Sequence, residues 1–148
     1  MLKRIVAPLI TSIGLLSLNA SVALSADGNI TASLVGQALA LSALNYKAAL
    51  KAYYDVLPGN TYTFIKYNLT RGYNYNMIAS CDDNECQDLD LLLLDRDGNE
   101  IDSDKGNSTN AKVGLLVRES DTYQLVVIMR GCRKISCEYG VQLLYQEK

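Results

Sequence analysis

From Thr61 to the end of the chain, apolar side chains recur at every second position, in short runs. Nothing else in the sequence constrains the fold as tightly. Successive side chains of a strand point to opposite faces, so a period of two marks strands with one buried face. Thr61 to Leu69 alternates in this way. Tyr73, Tyr75, Met77 and Ala79 share one side of the next run, with Asn74, Asn76 and Ser80 opposite. Asp88 to Leu94, Glu100 to Ser103, Val113 to Val117, Tyr123 to Met129 and Tyr139 to Tyr145 read the same way. Turn chemistry separates the runs: Arg71-Gly72, Asp97-Gly98, the Gly/Asn/Ser-rich 105–110, and Glu119-Ser120-Asp121. About seven short strands spaced like this predict an antiparallel β-sandwich.

The part before Gly59 follows a different period. From about Thr31 to Asp55 the spacing predicts one α-helix, with Asp27, Asn29 and Thr31 as candidate caps. Leu34, Ala38, Leu41, Ala48 and Ala52 fall near one side, and Lys47 and Lys51 form an i,i+4 pair on the wet side. Leu57-Pro58-Gly59 stops it, because proline disfavours the helical region for the residue before it. The expected organisation is a leader over 1–26, a helical segment over 27–56 and a β-sandwich domain over 57–148.

The first 26 residues have the layout of a secretory signal peptide. Lys3 and Arg4 precede the uncharged, mostly apolar run Ile5 to Leu18, and small residues follow. Cleavage fits after Ala23 or after Ala26. The apolar run is short for a spanning helix, and no later segment is long enough either, so no transmembrane segment is expected after cleavage. Of the 14 basic residues Lys3 and Arg4 leave with the leader, so 12 face 16 acidic ones, a net charge of −4. That balance argues against nucleic acid and anionic membranes as partners. The expected location is secreted or periplasmic.

Four cysteines occur as two matched pairs, Cys81-x4-Cys86 and Cys132-x4-Cys137. Structural zinc sites use similar spacings, but an even count in an exported chain reads as disulfides. Local bridges, Cys81 to Cys86 and Cys132 to Cys137, are favoured by the matched spacing and the turn-like loops. Each would contribute roughly 2 kcal/mol, against roughly 4 for a crossed bridge spanning about 50 residues. Stability alone therefore favours the crossed pairings, which stay open alongside zinc.

Histidine is absent, which removes the Ser-His and Cys-His nucleophile arrangements. Ten of the 16 acidic residues lie between Asp82 and Asp104, with Arg96 the one base among them. Clustered carboxylates on loops can supply calcium ligands. Asp95-Arg96-Asp97-Gly98-Asn99 lacks the spacing of an EF-hand loop, so a site would centre on Asp88 or Asp90 with a neighbouring loop. The simpler reading is turn chemistry and solvation. Paired carboxylates acting as a hydrolase acid and base form a remote alternative. Tyr73 and Tyr75, within Gly72-Tyr73-Asn74-Tyr75-Asn76, are candidate binding residues for sugars or peptides if that face is open. Tyrosine at half-buried strand positions is equally ordinary packing.

From Leu57 onward the chain resembles the bacterial pre-peptidase C-terminal domain and its secreted relatives. The stretches that carry the resemblance are LPGNTYTF, Leu69-Thr70-Arg71-Gly72-Tyr73, DLDLLLLDRDGNEIDSD, DTYQLVVIM and CEYGVQLL. The resemblance implies a secreted, non-catalytic, jelly-roll-like β-sandwich, and some members of that family bind calcium. The calcium role carries over to Asp88 and Asp90 alone. The chain departs from the family in standing without a peptidase, in its two cysteine pairs and in its N-terminal helix.

The expected function is a non-catalytic binding module that takes a protein or a cell-surface glycan, with calcium as a candidate stabiliser. The alternative is a structural envelope subunit that docks through its N-terminal helix.

Overall fold

The computed structural model describes residues 28–148, so the leader expected over 1–26 and Asp27 lie outside the described residues. Helix α1 (Gly28–Ser42) comes first. Nine strands follow: β1 (Lys47–Ala48), β2 (Tyr53–Pro58), β3 (Thr61–Leu69), β4 (Tyr73–Cys81), β5 (Cys86–Leu94), β6 (Glu100–Asp104), β7 (Asn110–Leu116), β8 (Asp121–Cys132) and β9 (Ser136–Glu147).

All strand pairs are antiparallel. Sheet A runs β2-β9-β4-β7, with β1 also on β9, and sheet B runs β3-β8-β5-β6. The pairs β2·β9, β3·β8, β4·β7 and β5·β6 are the four ribbons of a wrapped double Greek key, which is jelly-roll topology. The sandwich expected from the alternation is therefore the fold observed. The core between the sheets is filled from the expected inward positions, among them Met77, Leu89, Leu91, Leu93, Leu125, Val127, Met129, Tyr139 and Val141.

The helix is shorter than its sequence period predicts. It closes at Ser42, and Lys47 to Pro58 becomes β1 and β2 instead of further helix. Asn45 supplies the stop with φ at 64°, in the left-handed region that asparagine tolerates. Tyr46 N–H donates to the Leu41 carbonyl and Asn45 N–H to that of Ser42, the two bonds of a Schellman cap. Beyond the cap, Tyr53-Tyr54-Asp55-Val56 is rich in strand-favouring residues, and β9 offers it a free edge.

Helix α1 lies on the outer face of sheet A. Ile30, Leu34 and Leu41 pack on Ile78 of β4 and Leu144 of β9. Burying side chains of this size contributes roughly 1.5–3 kcal/mol each. Gln37 Nε2 donates to the Ala79 carbonyl and to Asn110 Oδ1, tying the helix to β4 and β7. Gly140 makes the close approach possible: a Cβ there would lie 2.7 Å from Leu34 Cδ1 and 2.8 Å from the Tyr54 ring.

Both disulfides are the local ones, Cys81–Cys86 and Cys132–Cys137, and no described cysteine is free. Each clips a corner where the chain leaves one sheet for the other, β4 to β5 and β8 to β9. The corners adjoin, because Cys86 sits opposite Cys132 in the β5·β8 ladder. Arg133 N–H donates to the Glu85 carbonyl at 2.7 Å, and Lys134 pairs with the Glu85 carboxylate.

On one flank of the sandwich, carboxylates bridge the gap between the sheets. Asp102 Oδ2 accepts from Gly114 N–H at 2.8 Å and Asp104 Oδ2 from Lys112 N–H at 3.0 Å. Two side chains of β6 thus cap donors along the free edge of β7.

Candidate binding face on sheet B

Among the described residues no helix lies on the outer face of sheet B. Its ladder places residues in rows across three strands: Tyr62, Ile128 and Asp90, then Phe64, Val126 and Leu92, then Lys66, Gln124 and Leu94. The alternate positions of the same strands point into the core, so these rows face outward. Tyr62 is 61% exposed and Phe64 51%, high values for aromatics in the middle of a strand. Their ring centroids lie 5.4 Å apart at 85°, an edge-to-face pair that leaves ring surface open.

A cation flanks this pair at each end. Lys66 is exposed on β3 itself. Arg130 of β8 is anchored: its Nε donates to Asp90 Oδ2 at 2.7 Å. The Asp90 side chain is 4% exposed and the Arg130 side chain 53%, so a buried carboxylate aims a half-exposed guanidinium. With Nε engaged, the outer nitrogens of Arg130 remain available to a ligand. The second oxygen, Asp90 Oδ1, is buried and without a hydrogen-bond partner.

The other sequence candidates fall in different places. Tyr75 is a core residue, and its hydroxyl accepts from Thr70 N–H at 3.3 Å. Tyr73 is half-buried, packing its ring 6.1 Å from Tyr75 and 5.8 Å from Tyr145. Both face inward and pack against the core. Asp88 and Asp90 share β5 but have separate duties. Asp90 holds Arg130, whereas Asp88 Oδ1 accepts from Ser108 N–H at 3.3 Å and the ladder shifts register beside it. Calcium takes six to eight oxygen ligands. Among the described residues no three His, Cys, Asp or Glu side chains gather as a metal set.

The rest of the acidic run is largely engaged as acceptor. Asp83 bonds Thr109 Oγ1, and Asp82 Oδ1 accepts from Asn84. Asp95 accepts from the side-chain amide and N–H of Asn99 and the N–H of Asp97. Those bonds, the Asn99 side chain foremost, hold the Asp95 carboxyl below its ordinary range. Ser103 and Lys105 do the same for Glu100. Within the core, burial, with a smaller push from Tyr53, raises the Tyr67 hydroxyl to about 12.

A cavity of about 380 Å³ opens near the β5–β6 turn and the β7–β8 loop, with Ile101, Leu115, Arg118 and Glu119 among its walls. Arg96 and Asp121 pair there at 3.3 Å. Four carboxylates line it, Asp95, Asp97, Glu119 and Asp121, against two arginines, Arg96 and Arg118, so its walls are net acidic.

Tyr62 and Phe64 were legible as exposed residues. They share parity with Lys66 and Asn68, whose polarity sets which side of β3 meets water. Asp90 and Arg130 could not be paired by sequence, since 40 positions separate them and only the β5·β8 register joins them. A scan against protein-family models finds no match for this chain, and a search of curated proteins finds none either.

Proposed function

We propose that the protein is a non-catalytic binding module of an exported, secreted or periplasmic protein, and that it holds an extended cell-surface glycan on the outer face of sheet B. The observation that carries this reading is the exposed Tyr62–Phe64 pair beside an arginine fixed by a buried carboxylate. Sugar rings present C–H faces that stack on open aromatic surface, while their hydroxyls accept from guanidinium and amide groups. A row that runs across three neighbouring strands suits an extended chain better than a small molecule. The two disulfides and the resemblance to the pre-peptidase C-terminal domain both support an exported setting.

The test is retention of the purified oxidised protein on an array of bacterial cell-surface polysaccharides. Wild type should be retained on at least one glycan class, and Tyr62→Ala with Phe64→Ala should lose at least tenfold in affinity. Arg130→Gln should lose less. No retention on any glycan would overturn the reading.

One observation favours the envelope-subunit alternative. Helix α1 has no charged residue, and its outward face shows Val35 at 50% and Leu39 at 64% exposure. Val35→Glu with Leu39→Glu should then release the protein from an envelope complex of larger size, and an unchanged elution profile would rule that docking out.

A further inference from the structure

The two flanks of the sandwich treat their free strand edges differently. An edge strand presents a row of unpaired N–H and C=O groups, and proteins commonly blunt it with charges, proline, bulges or a covering element. The β6/β7 flank is blunted by the carboxylates of Asp102 and Asp104 on the Gly114 and Lys112 amides. Strand β3 is the edge of sheet B on the opposite flank, and no further strand pairs with it among the described residues. It runs nine residues, TYTFIKYNL, in unbroken register with β8. It contains no proline and no glycine, and Lys66 is its one charge. Thr, Tyr, Phe and Ile dominate it, the composition that pairs most readily.

We propose that β3 is an association edge, and that its occupant is the β3 strand of a second copy of this chain. The strands pair antiparallel about a two-fold axis and join two sheets B into one continuous sheet. The strand's own pattern selects this partner. With the axis at Ile65, Phe64 lies opposite Lys66 of the second copy and Tyr62 opposite Asn68. With the axis at Phe64, Tyr62 lies opposite Lys66. In both registers the one cation of each strand meets an aromatic ring and never its own copy, so like charges are kept apart and a cation–π contact forms twice. An isologous contact of this kind closes on itself at two copies. Pairing takes Tyr62 and Phe64 edges out of water while their outward faces stay on the common surface, so two binding faces become one.

Sedimentation of the oxidised protein over a range of concentrations tests the pairing, together with amide hydrogen exchange across 61–69. Wild type should sediment as a dimer, with the β3 amides more protected at high concentration than at low. Phe64→Lys sets lysine against lysine about the Ile65 axis and should raise the dimer dissociation constant by about tenfold or more. Phe64→Glu restores an opposite pair about the Ile65 axis and should hold the dimer there, whereas about the Phe64 axis it sets glutamate against glutamate and should weaken it as Phe64→Lys does. Position 64 is exposed in the single chain, so both variants should melt as wild type does at concentrations low enough to dissociate the dimer. Ile128→Lys lies on the face but off the edge and should remain dimeric. A wild type that is monomeric throughout overturns the proposal, and so does a dimer indifferent to Phe64→Lys. Glycan retention is read separately, so failure of either reading leaves the other testable.

Discussion

The two outer faces of the sandwich obey the same strand geometry and are finished in different ways. On sheet A the outward positions of β4 and β9 include Ile78, Ser80, Gly140 and Leu144, all buried, and α1 rests on them. On sheet B the outward positions of β3 and β8 include Tyr62, Phe64 and Ile128, and the described chain leaves them uncovered. Where the chain supplies its own cover, the fit is close enough that glycine is needed at position 140. Where it does not, the apolar row is bordered by cations, one of them oriented from below by Asp90. Side chains on the first face therefore contribute mainly to stability. Those on the second can change at little cost to folding, which is what a surface kept for another molecule requires.

That contrast breaks most visibly under the helix. Leu34→Ala removes a side chain that is 1% exposed, and a chemical-denaturation curve should show a loss of about 2–5 kcal/mol. A loss below about 0.5 kcal/mol would mean that α1 is not part of the cooperative fold. Next in size is the ion pair of sheet B. Arg130→Ala strands the Asp90 carboxylate in a buried position and should cost about 2–4 kcal/mol by the same measurement, somewhat below a fully buried pair because Arg130 is half-exposed. Asp90→Asn keeps the shape without the charge and should cost less than Arg130→Ala. The reverse order would show that Asp90 is stabilised by something other than Arg130.

Phe64→Ala tests the contrast from the other side. Its effect on the melting midpoint should stay within about 0.5 kcal/mol, although glycan retention falls. The remaining effects come from pH. The Tyr67 hydroxyl, ordinarily at 10.0, is raised to about 12 in the fold. Its contribution is complete below the unfolded value and is lost as pH rises through about 12. Asp95 is shifted the other way, so its contribution is present above the ordinary 3.8 and is lost as pH falls through the lower folded value. Denaturation midpoints measured across the pH range should decline at both ends, and a flat alkaline limb would count against a buried Tyr67.

Much of this architecture is written in the alternation. The strands from Thr61 onward, their turns and their inward residues follow from a period of two, because a one-residue slip would turn the core side of each strand outward. Matched spacing favours the local disulfides but leaves the crossed pairings open, and the structure has the local ones. The region 43–58 reads poorly because local pattern and tertiary pairing compete there. Alanine and leucine spacing continues the helical period, yet the strand edge of β9 and the left-handed Asn45 override it. Asn45 itself was a readable stop, since asparagine just past a periodic run is a common helix terminus. The candidate face on sheet B was legible only in part. Parity marks Tyr62 and Phe64 as outward, whereas the Asp90–Arg130 pair and the cover over sheet A depend on contacts distant in sequence.

The pairing of neighbouring cysteines bears on how such a chain becomes oxidised. Each bridge joins residues five positions apart. When a chain is threaded into an oxidising space from its N-terminus, Cys86 arrives while Cys81 is the one other thiol present. That bond can close before Cys132 or Cys137 has appeared. The second pair then meets a first pair already consumed. In a chain delivered this way, order of arrival would suppress both crossed connectivities without proofreading, and the two corners would lock in the sequence in which the strands beside them arrive.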